Sequence, residues 1–145
     1  MEKLLTIVVP AYNMEKYLSY CLDSLCVNQD NLEVLVINDG SKDTTSDIAH
    51  QYMEQYPHIF RVIDKANGNY GSCVNRGLTE AKGKYIKILD ADDSFDIENF
   101  RLFLAFLNKT DADLVLSDFA VVDPKRRIRK IARFVQGLHD EGEGA

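Results

Sequence analysis

Four short apolar runs, each emptying into a polar loop and then into a helical stripe, constrain this chain more than any other feature. They are Thr6–Val9, stopped by Pro10; Val34–Ile37; Phe60–Ile63; and Tyr85–Leu89. Runs that stay mostly apolar, interrupted here by Arg61 and Lys87 in the last two, read as strands covered on both faces, the pattern of a parallel sheet rather than of a half-solvated one. Between them, Leu18, Cys21, Leu22 and Leu25 recur at helical spacing. A helix is predicted over 45–56 with Ile48, Tyr52 and Tyr56 on one face. A third helix over 72–81 would present Val74 and Leu78 and end at Gly83 as a C′ glycine. A fourth, over 97–107, carries Phe100, Phe103, Leu104 and Leu107. Leu114–Leu116 suggests a fifth strand running on through Phe119 toward Val122. Alternation of this kind predicts an α/β fold with a mainly parallel, doubly wound sheet flanked by helices and right-handed crossovers.

In such sheets ligands bind beyond the carboxyl ends of the strands. Four polar constellations fall there: Tyr12-Asn13, Asp39-Gly40-Ser41, Asn67 to Gly71, and Asp90 to Asp93. In the last, three carboxylates within four residues repel one another. A divalent cation with a preference for hard oxygen, Mg²⁺ or Mn²⁺, would relieve that repulsion and could hold a diphosphate in turn. The competing reading is that Asp90 to Asp93 cap a helix whose first turn begins near 94–97. Asp39 could accept an N–H from a base edge or serve as a cap or Asx-turn residue. Tyr12 could stack a base or simply pack. Asn67 and its glycines could bring backbone N–H groups to a ribose or phosphate, with Lys65 or Arg76 balancing phosphate charge, or form only a turn. His50, His58 and His139 stand apart from these loops and read as surface residues.

Length and composition narrow the class. The 145 residues suit about one domain, and 46% hydrophobic with 28% charged residues fits a packed globular protein. Leu4–Val9 is too short for a secretory leader or a membrane span, and Cys21, Cys26 and Cys73 lie in apolar segments. Both point to a cytoplasmic protein. Six of the 17 basic residues crowd into Lys125–Arg133, which leaves 11 against 23 acidic ones, a charge of −12, for the rest. An acidic body argues against nucleic acid as a partner. The basic segment could touch an anionic membrane surface or a phosphorylated acceptor, or be a solvated helix face or partner contact. The organisation expected is a core over 1–123 followed by a basic segment and Gly/Glu-rich tail over 124–145.

Val8-Val9-Pro10-Ala11-Tyr12-Asn13, the stretch Val36 to Thr45, Asn67-Gly68 with Gly71, Asn75, Arg76 and Gly77, and Tyr85 to Asp93 follow one another in a set order and spacing. Together they resemble a family 2 glycosyltransferase of the GT-A fold over about Thr6 to Val122. The resemblance implies that Pro10 and Tyr12 border a base pocket and that Asp39 hydrogen-bonds a uracil-type base. It implies that Asn67 and the Gly68 loop lie along the nucleoside. Asp90 and Asp92, as the DXD pair, would hold the ribose and the metal, with Asp93 beside them. The implied chemistry is inverting, metal-dependent transfer of a hexosyl group from a nucleotide-sugar, UDP-linked, to a sugar, lipid or protein acceptor in polysaccharide or glycan synthesis. The family's catalytic base is an Asp or Glu farther downstream, in the acceptor half. No matching motif follows Asp123, and Asp118 and Asp123 occupy the strand after DXD. The expectation is a nucleotide-sugar-binding part without its acceptor half, open to self-association or to donor binding without turnover.

Overall fold

The computed structural model describes residues 3–27 and 29–109 together with the backbone of 119–122 and 128–132. The chain forms two compact units, Met1–Lys109 and Thr110–Ala145. The expected boundary at 123/124 lies outside the described residues.

In the first unit the order is β1 (Lys3–Ala11), α1 (Leu18–Asp23), β2 (Leu32–Asp39), α2 (Thr45–Gln55), β3 (Phe60–Lys65), α3 (Tyr70–Glu80), β4 (Gly83–Ile88) and α4 (Ile97–Lys109). The strands form one sheet, ordered β3-β2-β1-β4 and parallel throughout, with Val8 registered on Leu35 at one side and Ile88 at the other. All eight β2 residues are buried. Val8, Leu35, Ile37, Ile63 and Cys73 form one cluster on the α3 side. Successive strand residues face opposite ways, so Ile7, Val9, Val34 and Val36, equally buried, fill the other face. Both layers are therefore covered, and the fold is the doubly wound α/β arrangement expected.

Three local readings change. The third helix starts at Tyr70 and turns Cys73 and Gly77, not Val74 and Leu78, toward the sheet, and Leu78 is 50% exposed. Gly77 sets this, because a Cβ there would lie 2.4 Å from Val8 Cγ1, so only a residue without a side chain lets α3 sit so close. Gly83 is no helix cap: α3 ends at Ala81 in extended backbone and Gly83 opens β4. A Cβ on Gly83 would meet the Thr6 backbone nitrogen at 2.5 Å, and its N–H donates to Thr6 Oγ1 at 2.9 Å. β4 itself alternates in burial instead of being covered throughout, leaving Ile86 42% exposed, because it has no strand neighbour on its outer side among the described residues.

In the second unit β5 (Phe119–Val122) pairs antiparallel with β6 (Ile128–Ala132), with an irregularity between Val121 and Val122. Part of the basic segment is thus a strand, not a helix face. Leu114–Leu116 lies outside the described residues.

The topology also places the site. From β1 the chain moves outward through β2 and β3, and β4 then returns to the opposite flank of β1. That reversal opens a crevice at the carboxyl ends of β1 and β4, between Pro10-Ala11-Tyr12 and Leu89 to Asp92.

Candidate functional site

A cleft of about 420 Å³ occupies this crevice, and Pro10, Tyr12, Asp39, Asn67, Asp90 and Asp92 all line it. The four loops singled out in the sequence therefore converge. Gly68 does not line the cleft; its backbone works one layer behind.

Asp39 ends β2 and is only 4% exposed. Its Oδ1 accepts from Lys65 Nζ (2.8 Å) and from the Gly68 N–H (2.8 Å), and its Oδ2 accepts from the Asn69 N–H (3.0 Å). Burial pushes this carboxyl's pKa up, but the Lys65 ammonium and the two N–H groups outweigh it, so the net shift is below the ordinary value. Lys65 spends its other two donors on Ala66 O and Ser72 Oγ. It is thus committed to Asp39 and does not serve as the phosphate partner that the sequence suggested. Arg76, the other candidate, pairs with Glu80 at 3.1 Å.

Loop geometry follows from close approach. Gly40 has φ +69°, and a Cβ on it would sit 2.8 Å from the Asn67 nitrogen. Asn67 Nδ2 in turn donates to Asp39 O (3.0 Å). In the 67–71 loop it is Asn69, at φ +84°, and not either glycine, that takes the left-handed region. Its side chain compensates by accepting the Ser72 N–H and capping α3.

The Ser41 to Thr45 stretch has a cross-loop role. Ser41 Oγ accepts the Asn13 N–H, Thr45 Oγ1 accepts the Met14 N–H, and Glu15 Oε1 receives both the N–H and the hydroxyl of Thr44. Asp43 caps Thr45 and accepts the Glu15 N–H. These bonds fix the Tyr12 loop against the Asp39 loop. Only the recurrence of small hydroxyl and carboxylate residues after β2 hinted at it.

At the acidic end, Asp90, Asp92 and Asp93 are exposed, and one carboxylate oxygen from each lies within 4.8 Å of the others. The helix-cap alternative fails for these three. Asp96 caps α4 instead, accepting the Asn99 N–H on its carboxylate and the Phe100 N–H on its carbonyl. Tyr70 Oη donates to Asp90 Oδ1 (2.9 Å). Burial, then the Asp90 carboxylate, hold the Tyr70 hydroxyl above its usual pKa. Three clustered hard oxygens, exposed and close enough to share one ion, fit Mg²⁺ or Mn²⁺. No Lys or Arg lines the cleft among the described residues.

The histidines lie elsewhere, as expected: His50 pairs with Asp64 (2.7 Å) and His58 with Asp30 (3.2 Å). His139, Asp118 and Asp123 lie outside the described residues.

Asp39, Asp43 and Asp64 all have pKa values lowered from the ordinary 3.8, against the upward push of burial. A carboxyl with a depressed folded-state pKa stabilises the fold above its unfolded pKa, and that contribution disappears as pH falls through the folded value. Thermal unfolding followed by circular dichroism should therefore give a Tm that holds from about pH 7 to about pH 5 and drops below about pH 4. Asp64→Asn should flatten the acid limb. A Tm rising on acidification would contradict these assignments.

Comparison with known proteins gives the chain its relatives. Residues 6–142 match the family described as glycosyl transferase family 2. The uncharacterized glycosyltransferase MG025 homolog of Mycoplasma pneumoniae is 38% identical over 130 residues, 86% of this chain and 42% of that protein. The uncharacterized glycosyltransferase EpsJ of Bacillus subtilis is 34% identical over 128 residues, 88% of this chain and 37% of that one. The chain thus spans less than half the length of these relatives. Among solved structures, S. aureus TarS 1–349 in complex with UDP-GlcNAc superposes with a TM-score of 0.64 at 29% identity, covering 73% of this chain and 31% of that one. The mannosyltransferase PcManGT of Pyrobaculum calidifontis, in complex with GDP-Man and Mn²⁺, reaches 0.66 at 23% identity over 86% of this chain and 37% of its own, a likeness of fold.

Proposed function

This chain belongs to glycosyltransferase family 2 and has the GT-A fold, and from that premise we propose that its first unit is the donor site of a sugar transferase. The donor is a nucleoside-diphosphate sugar, UDP-linked, and the acceptor is a hydroxyl on a sugar, lipid or protein. One observation carries the reading: the cleft at the strand reversal joins an aromatic face and a carboxylate at one end to Asp90 and Asp92 at the other, with Asp93 clustered beside them and no lining Lys or Arg among the described residues. A diphosphate placed there needs positive charge, and among the described residues only an ion held by Asp90, Asp92 and Asp93 could supply it. The UDP-GlcNAc complex of TarS supports the uridine assignment.

In this reading Tyr12, 42% exposed, offers its ring to the base. Asp39 accepts a base N–H, while Pro10 and Asn67 border the nucleoside. Asp90 and Asp92, with Asp93 beside them, would hold Mn²⁺ or Mg²⁺, which when bound stabilises charge on the departing diphosphate. Inversion, the hexosyl type, and a role in polysaccharide or glycan assembly complete the proposal. The base that activates the acceptor is assigned to residues beyond the described cleft. Cytoplasmic placement is supported by three free cysteines, two of them buried. No helix among the described residues is long and apolar enough to cross a membrane, so contact with a membrane surface is proposed only through the basic segment.

Calorimetric titration of UDP in Mn²⁺, repeated in EDTA, tests the donor site. Binding between about the micromolar and millimolar range that disappears with the metal is expected. An absence of binding in both would refute it. Turnover of UDP-sugar by this chain, as hydrolysis or transfer, separates an active enzyme from a module that binds donor alone.

A further inference from the structure

We propose that Lys65 is a specificity-determining positioning residue, which by occupying one oxygen of Asp39 leaves the cleft a single acceptor and so selects a base with a single N–H on its reading edge. The inference rests on the donor-site reading above and adds to it the means of base selection.

A carboxylate oxygen offers about two acceptor positions. Both positions on Asp39 Oδ1 are taken, one by Lys65 Nζ and one by the Gly68 N–H, each at 2.8 Å. On Oδ2 the Asn69 N–H takes one, at 3.0 Å. The Cys73 thiol also reaches this carboxylate, but S–H is a weak donor that a base N–H displaces. One strong position therefore remains. Lys65 cannot swing away cheaply, because its ammonium is held by Ala66 O and Ser72 Oγ as well as by Asp39, and its side chain is only 16% exposed. Ser72 Oγ is itself anchored by donating to Asn69 O (2.8 Å).

The consequence is chemical. Uracil presents one N–H, at N3, between two carbonyls, and one acceptor satisfies it. Guanine presents N1–H and the 2-amino group side by side and gains most from a carboxylate with both oxygens open. Here the second donor of guanine finds Oδ1 filled. Hypoxanthine, which keeps N1–H and lacks the amino group, should then bind tighter than guanine. Buried donors left without partners are costly, so the discrimination should be about tenfold or more.

The test is titration of UDP, GDP and IDP with Mn²⁺ into the chain and into Lys65→Met and Lys65→Arg, with folding checked by thermal melting. For the unaltered chain, UDP and IDP should each bind about tenfold or more tighter than GDP. In Lys65→Met the UDP preference over GDP should shrink by about tenfold and GDP should overtake IDP, while Lys65→Arg should keep the original order. If GDP binds the unaltered chain as well as IDP or better, guanine's second donor finds a partner and the proposal falls, whether or not Lys65→Met folds. It also falls if Lys65→Met weakens all three nucleotides equally, a structural effect, or if both purines are excluded by both proteins, which would put selection in cleft shape. Binding of none of the three by the unaltered chain overturns the donor-site reading itself and this inference with it.

Discussion

Alanine in place of Asp92 is expected to lower Mn²⁺-dependent UDP affinity on the order of a hundredfold while leaving the melting temperature within about 2 °C. The two halves of that expectation have one origin. Asp92 is exposed, and it shares a small region with the carboxylates of Asp90 and Asp93. In the absence of an ion these groups repel, so deleting one relieves repulsion and takes away no packing. With an ion and a diphosphate present, the same deletion removes a hard-oxygen ligand where, among the described residues, no Lys or Arg lines the cleft to replace its effect. Asp90→Ala is a less clean probe, because it also releases the Tyr70 hydroxyl. Isothermal titration in Mn²⁺ and in EDTA decides the matter. Equal affinities for the two proteins in Mn²⁺ would show that these carboxylates do not hold the diphosphate.

Where the chain was legible from its sequence, burial on both faces made it so. β1 and β2 read as continuous apolar runs because helices cover them from above and below, and no alternation survives such an environment. β4 carries a similar vocabulary but has no strand on its outer edge among the described residues, so its pattern of exposure follows its place in the sheet and not its composition. The face of α3 was misread for a different reason. Hydrophobic periodicity counts side chains, and the residue that brings α3 onto the sheet is a glycine, which scores as nothing.

The site divides in the same way. Four polar loops could be placed because each follows a strand, and the carboxyl ends of parallel strands lie on one side of a sheet. What each side chain would be doing could not be read, since for Asp39, Lys65 and Glu15 that depends on partners about 30 residues away. Lys65 looks like a free phosphate ligand until Asp39, Ala66 and Ser72 are seen to take all its protons. Asp90 to Asp93 look like a helix entry until Asp96 is seen to perform that task. Glu15 is an unremarked charge on a helix approach until Thr44 and Asp43 close on it. In each case the residue type was informative and its partner was not, and for Lys65 and Glu15 the deciding partner comes from another element.

Gly77→Ala should destabilise this fold, costing about 2–3 kcal/mol and several degrees of Tm. The sign is the test, because glycine to alanine inside a helix ordinarily stabilises by up to about 1 kcal/mol. Here the new Cβ would stand 2.4 Å from Val8 Cγ1 and 2.8 Å from Cγ2. Val8 cannot retreat: it is fully buried, paired with Leu35 and Ile88, and packed within the cluster of Ile37, Ile63 and Cys73. Either α3 lifts from the sheet or β1 bends. Either movement reaches the cleft, since α3 begins at Tyr70 and β1 ends at Ala11, beside Pro10 and Tyr12. UDP affinity should therefore fall together with stability, although Gly77 touches no part of the cleft. Val8→Ala alone should cost about 2 kcal/mol for its lost methyl groups. Combined with Gly77→Ala it should cost clearly less than the sum of the two, because the second methyl then occupies the space the first change opens. Strict additivity in that double-mutant cycle, or a Gly77→Ala protein at least as stable as the parent, would show that α3 and β1 are not in the close contact that sets this side of the cleft.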